Sequence, residues 1–139
     1  MISALDISTS GLAAQRMHMN AIASNIANVS TTHNEQGEAV PYQPKFVVFQ
    51  AEDVPGTHGA AGVKVSEVQT APADPILKFE PGNPDAIKDG PNRGYVAYPN
   101  INMMEQFTDA LVAARAYEAN LGAMDITKNM EQQTLRILA

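Results

Sequence analysis

Cysteine is absent from this 139-residue chain, which excludes disulfides, thiol catalysis and thiolate metal sites. Proline is absent from both ends, because all nine prolines lie between Pro41 and Pro99. Charge is scarce over the first thirty residues, where Asp6 and Arg16 stand alone. No cluster of Lys and Arg exists to neutralise phosphates, so nucleic acid is not an expected partner. The net charge of −6 would be weakly repelled by anionic lipid. No apolar run approaches the ~20 residues that cross a bilayer, so direct membrane insertion is not expected. The opening Met-Ile-Ser-Ala-Leu-Asp lacks a basic region followed by an apolar core, and a cleavable secretory signal is not expected either.

The groups that chemistry requires are also missing. His18, His33 and His58 are far apart and belong to no metal-ligand spacing. No glycine-rich phosphate loop follows a strand, and no serine sits in a nucleophile elbow. Asp85 and Asp89 flank Lys88 in a turn-rich stretch and read as turn formers. No enzyme activity, cofactor or metal is expected.

What remains is a chain with helical ends. Ser3 and Asp6 have the shape of a capping box, which predicts a helix over about residues 4–29. Leu5, Leu12, Met19 and Ile26 recur every seven residues, with Ile22 and Val29 at the complementary offset and Ser8 and Gln15 breaking it. The rest of that helix is coated with Ala, Ser, Gly and Asn rather than charges, as suits packing on several sides. Asn102 and Glu105 predict a second cap opening a helix over 103–138, roughly 54 Å long. Its stripe reads Met103, Phe107, Ala110, Ala114, Tyr117, Leu121, Met124, Leu135 and Leu138, interrupted by Lys128 and Glu131. Gly122 inside it weakens the helix and points to a close neighbour there. Arg115 and Glu118 should form a weak ion pair.

Between the ends, 45–50, 62–68, 76–80 and 94–98 read as short strands bounded by Pro, Gly, Asn or Asp. Loops are expected at 30–44, 51–61 and 82–93. The fold class is therefore α+β. Residues 1–30 and 100–139 would form a discontinuous, coiled-coil-like helical core, and 31–99 a small β-rich module leaning on it.

Three motifs carry a family resemblance over nearly the whole chain. Ala23-Ser24-Asn25-Ile26-Ala27-Asn28-Val29, with Gly11-Leu12 and Gln15 upstream, resembles the S-N-N-I-A-N-x signature of the flagellar axial proteins, the rod and hook family. Arg115-Ala116-Tyr117-Glu118-Ala119-Asn120 resembles the R-A-Y-E-A-N motif of that family's C-terminal helix. Pro81-Gly82-Asn83-Pro84-Asp85-Ala86, Gly94-Tyr95-Val96 and Tyr98-Pro99-Asn100-Ile101-Asn102 are similar to its short, proximal-rod members. Ser30-Thr31-Thr32-His33 departs from the usual T-x-G-Y-K/R, Pro41-Tyr42-Gln43-Pro44 lacks the basic residues that often follow Pro-Tyr, and Lys88 to Arg93 looks like a small insertion.

The resemblance implies a non-enzymatic subunit that polymerises helically into the drive shaft carrying torque from motor to hook across the periplasm. Implied partners are further copies, other rod proteins, the basal-body membrane ring with its rod adaptor, and the flagellar type III export apparatus, which such subunits traverse unfolded. Subunit contacts are then expected at Leu5, Leu12, Met19, Ile22 and Ile26 on the first helix. On the second they are expected at Met103, Phe107, Ala114, Leu121, Met124 and Leu135. Asn25, Asn28, Tyr117 and Asn120 are candidates for hydrogen bonds between subunits, although each asparagine can equally end a helix. The competing reading, a soluble helical-hairpin adaptor or export chaperone, calls for a more charged face over residues 1–30.

Overall fold

The computed structural model describes residues 2–53 and 61–138. Helix α1 spans Ile2–Ala27, strand β1 Lys45–Asp53, β2 Ala61–Thr70, β3 Ile76–Phe79, β4 Tyr95–Tyr98 and helix α2 Met103–Leu138. The two helices pack on each other, and the middle forms two separate two-stranded sheets. This is the α+β architecture that the proline distribution and the heptads imply.

Both helix ends differ from their sequence patterns in an instructive way. Ser3 lies inside α1 and not before it, and its side chain lies outside the description. Val29 falls outside, because Asn28 closes the helix: its backbone N–H (3.1 Å) and its Nδ2 (2.8 Å) both donate to the Ser24 carbonyl. Thr31 Oγ1 donates to Asn28 Oδ1 at 3.1 Å and bends the chain away. At α2 the expected cap is present. Asn102 Oδ1 accepts the backbone N–H of Met104 at 3.1 Å and of Glu105 at 3.5 Å, with Glu105 in the positive first turn. The Arg115–Glu118 pair also forms, at 2.9 Å on an exposed face, where it contributes only tenths of a kcal/mol.

β1 and β2 form an antiparallel hairpin from Lys45↔Thr70 to Asp53↔Ala61, with a bulge at Ser66 between the Val48↔Glu67 and Phe49↔Val65 pairs. Both strands run longer than their apolar cores indicate, so residues 51–53 and 61 of the loop expected at 51–61 are ladder; its remainder and His58 lie outside the described residues. The hairpin lies along α1. Val63 N–H donates to Ser10 Oγ at 3.0 Å, and the His18 ring meets Phe49 edge-on at 5.4 Å. β3 and β4 form the second antiparallel sheet, Ile76↔Tyr98 to Phe79↔Tyr95, which pairs with no other element.

The enclosed core is small: Ala14, Ala21, Ile22, Val96 and Ala113, with Asn25 the one buried polar residue among those described. Gly122 has open space where its Cβ would stand, so no neighbour among the described residues explains it. Gly122→Ala should therefore raise the stability of the isolated chain by about 0.5–1 kcal/mol, read from urea or thermal unfolding followed by circular dichroism.

Candidate subunit interface

The register of the helix pair is set at two points. Asn25 Nδ2 donates to Gln106 Oε1 at 2.9 Å, and a Cβ on Gly11 would stand 2.8 Å from Asn120 Nδ2. These contacts lie fourteen residues apart on each helix, in opposite directions, so α1 and α2 are antiparallel over roughly 21 Å. Along α2 a line of covered positions runs Gln106, Ala110, Ala113, Tyr117, Asn120, Met124, Thr127 and Glu131, stepping four and three, with Asp109, Ala114 and Ala116 half-buried beside it. Along α1, Gly11 and Asn25 meet α2 directly, with Gln15 and Ile22 covered between them.

That seam is rotated by one residue from the one the large apolar side chains outline. Ala110, Tyr117 and Met124 are common to both. The second column holds Gln106, Ala113 and Asn120 instead of Phe107, Ala114 and Leu121. On α1, Ile22 is common, and Gly11 and Asn25 stand where Leu12 and Ile26 were expected, while His18 turns to Phe49 of the hairpin. Small and polar residues let the two backbones approach closely, which Leu and Phe would prevent.

The consequence is a helix whose bulk faces outward. Phe107 (54 % exposed), Leu121 (46 %) and Leu135 (67 %) run down one side of α2, with Met103 and Met104 exposed at its start. Val112, Ala116, Ala119, Ala123, Ile126 and Met130 form a second stripe of heptad spacing on the other side of the seam. Val112 and Ile126 are each 62 % exposed among the described residues. Leu5, Leu12, Met19 and Ile26 of α1 are half-buried at the edge of the seam; the Leu138 side chain lies outside the description.

Asn25 is the joint between helices and hairpin. Its Nδ2 donates to the Lys45 carbonyl and its Oδ1 accepts the Lys45 N–H, both at 2.8 Å. A peptide of β1 is thus gripped on both sides by a side-chain amide, as a neighbouring strand would grip it. Oδ1 also accepts from Tyr42 Oη at 3.2 Å, which leaves Ser24 Oγ as donor to that phenol at 3.0 Å. Lys45 Nζ lies 5.9 Å from the Tyr42 ring centre. All four bonds of the Asn25 amide stay inside the chain. Asn28 serves the end of α1, and Asn120 lies against Gly11.

Comparison with known proteins bears on the same elements. Residues 5–33 match the family model described as flagella basal body rod protein, and residues 92–137 match flagellar basal body rod FlgEFG protein C-terminal. The flagellar basal-body rod protein FlgC of Bacillus subtilis is 37 % identical over 146 residues, covering 96 % of this chain and 95 % of its own. That of Salmonella typhimurium is 36 % identical, with 99 % and 97 % covered, and that of Borreliella burgdorferi 33 %, with the same coverage. This chain belongs to the FlgC family of flagellar basal-body rod proteins.

In this FlgC-family chain the two matched regions contain the whole joint on the helical side: Ser24 and Asn25 in one, Gln106 and Asn120 in the other. Among the described residues no group of three His, Asp or Glu side chains has metal-binding geometry. No helix is long and apolar enough to cross a membrane.

A second polar cluster ties the β3–β4 sheet to the chain entering it. Glu80 Oε2 accepts from Asn83 Nδ2 at 3.0 Å and from Tyr98 Oη at 3.1 Å. These bonds, Asn83 first, hold the Glu80 carboxyl below its ordinary value near 4.5, and the Glu80 carboxylate raises Tyr98 above 10.0. Thr32 Oγ1 donates to Asp85 Oδ2 at 2.8 Å and links this sheet to the segment after α1.

Asn25→Ala should cost about 1–3 kcal/mol in urea unfolding, because the amide's bonds to the Lys45 peptide and Gln106 are lost together. Gly11→Ala should be more favourable in an Asn120→Ala background than alone, by about 1 kcal/mol in a double-mutant cycle. The Glu80–Tyr98 contact should persist between about pH 4.5 and 10. Its contribution is lost as pH falls through the lowered Glu80 value or rises through the raised Tyr98 value. Tyr98 fluorescence or NMR titration, with Glu80→Gln as reference, checks both limits.

Proposed function

We propose that this chain is a structural, non-catalytic subunit that polymerises helically into the proximal part of the flagellar rod, within the shaft that carries torque from motor to hook. Its membership of a basal-body rod family supports the structural role. The observation that carries the polymerising reading is the exposure of α2: two apolar sides flank a seam of small and polar residues. A lone solvated helix places charge on such faces, whereas one wedged between neighbours does not.

In this reading residues 1–30 and 100–139 form the helical core that stacks from copy to copy, and 31–99 an outer domain. Met103, Phe107, Leu121 and Leu135 meet neighbouring helices directly. Leu5, Leu12, Met19, Ile26, Ala114, Tyr117 and Met124 complete those contacts from the half-buried edges. Ile22 and Asn25 act from within, by fixing the helix pair that neighbours recognise. The partners are further copies, other rod proteins, the membrane ring with its rod adaptor, and the flagellar export apparatus, and the rod so built crosses the periplasm.

Val112→Glu with Ile126→Glu should leave the helicity of the isolated chain intact, since neither side chain packs within it. The same pair should abolish incorporation into purified basal bodies and stop swimming. Wild-type incorporation of the double variant would remove this stripe from the subunit contact.

A further inference from the structure

Two features of the middle segment complement each other without touching in one chain. The first is a rigid acidic knob. In the turn 34–38, Asn34 Oδ1 accepts the N–H of Gln36 (3.1 Å) and of Glu38 (2.8 Å), and Asn34 N–H donates to the Glu38 carbonyl at 3.0 Å. Gly37 takes φ +79, and Asn34 Nδ2 fixes the Glu38 carboxylate at 2.7 Å. Residues 35–40 are all exposed, and the segment 30–44 holds Glu35 and Glu38 but no Lys or Arg. Val40, 48 % exposed, adds an apolar edge.

The second feature is a cleft of about 620 Å³ in the 81–94 loop. Phe79, Pro84 and Ile87 give it an apolar wall, and Lys88 and Arg93 stand on its lining. The loop is held in shape: Ile87 N–H donates to the Tyr95 carbonyl and Gly94 N–H to the Ile87 carbonyl, each at 2.9 Å. The Gly94 turn, at φ +83, admits the Phe79 ring where a Cβ would clash at 2.9 Å. Among the described residues neither Lys88 nor Arg93 pairs with a carboxylate.

We propose that the Glu35–Glu38 knob of one copy docks into the Lys88–Arg93 cleft of the next. Charge complementarity selects the occupant in a chain that is acidic overall. The geometry makes the contact one between copies. Thr32 and Asp85 hold the roots of knob and cleft together at 2.8 Å, yet the knob's carboxylates do not reach the cleft's cations. Such a head-to-tail contact closes a ring or continues a helix, and the Thr32–Asp85 bond passes its register onward. The inference rests on the polymerising reading above and names a contact within it.

Because the chain has no cysteine, engineered thiols report cleanly. Gln36→Cys and Asn92→Cys variants leave every charge in place and would be co-produced in flagellated cells, followed by oxidation of purified basal bodies. A disulfide between the two variants is expected. It should fall at least ~10-fold with Lys88→Glu and Arg93→Glu in the Asn92→Cys copy, and return when Glu35→Lys and Glu38→Lys are added to the Gln36→Cys copy. Incorporation of both variants without a cross-link, or a cross-link only to another protein, overturns the docking and leaves the rod reading standing. Absence of the unmodified chain from basal bodies overturns both.

Discussion

The carboxamide of Asn25 is the contact on which the rest of the arrangement depends. It closes two hydrogen bonds on the Lys45 peptide, a third on Gln106 and a fourth on Tyr42, so α1, α2 and the first hairpin meet at one buried group. A buried amide is costly unless all its valences are met, and here four partners meet them. The same chemistry fixes geometry. Lys45 N–H can only donate and its carbonyl can only accept, so the amide has one orientation and β1 has one starting point. Ser10, about four turns before Asn25, repeats the attachment farther along the hairpin through the Val63 N–H.

With the hairpin anchored to one side of α1, the other side receives α2, and that seam is made of small and polar residues. Gly11 against Asn120 and Ala14, Ala21 and Ala113 in the core allow close backbone approach. Close approach leaves no room for Phe107, Leu121, Ile126 or Leu135, which turn outward. Each such side chain gains about 1.5–3 kcal/mol when fully buried. The isolated chain forgoes that gain, which the assembly proposed above would recover. Local order inside one subunit and affinity between subunits are thus divided between different faces of the same helix.

The β3–β4 sheet follows a different logic. Four-residue strands in a two-stranded sheet are marginal in water. This one is held by Val96, which is fully enclosed, and by polar bonds at Glu80, Asn83, Tyr98 and Asp85. Its cleft is lined by residues between Phe79 and Gly94 alone. Variation there alters the outer surface of a subunit without disturbing the seam.

Periodicity and proline placement determined by themselves where the helices and strands lie, because heptads, an Asn cap and turn residues act over a few neighbours. The family motifs were legible too, since they are contiguous runs. What the sequence could not supply was the rotation of the seam. Apolar content ranks Phe107, Leu121 and Leu12 as the buried column, and only the packed pair shows that Gly11, Asn120 and Asn25 take that place. The signal was present in the small, uncharged coat of α1, but its meaning depends on how near a second helix comes. The role of Asn25 was likewise beyond local rules. Its partners Lys45 and Gln106 lie 20 and 81 residues away, and only tertiary structure brings such groups within hydrogen-bonding distance.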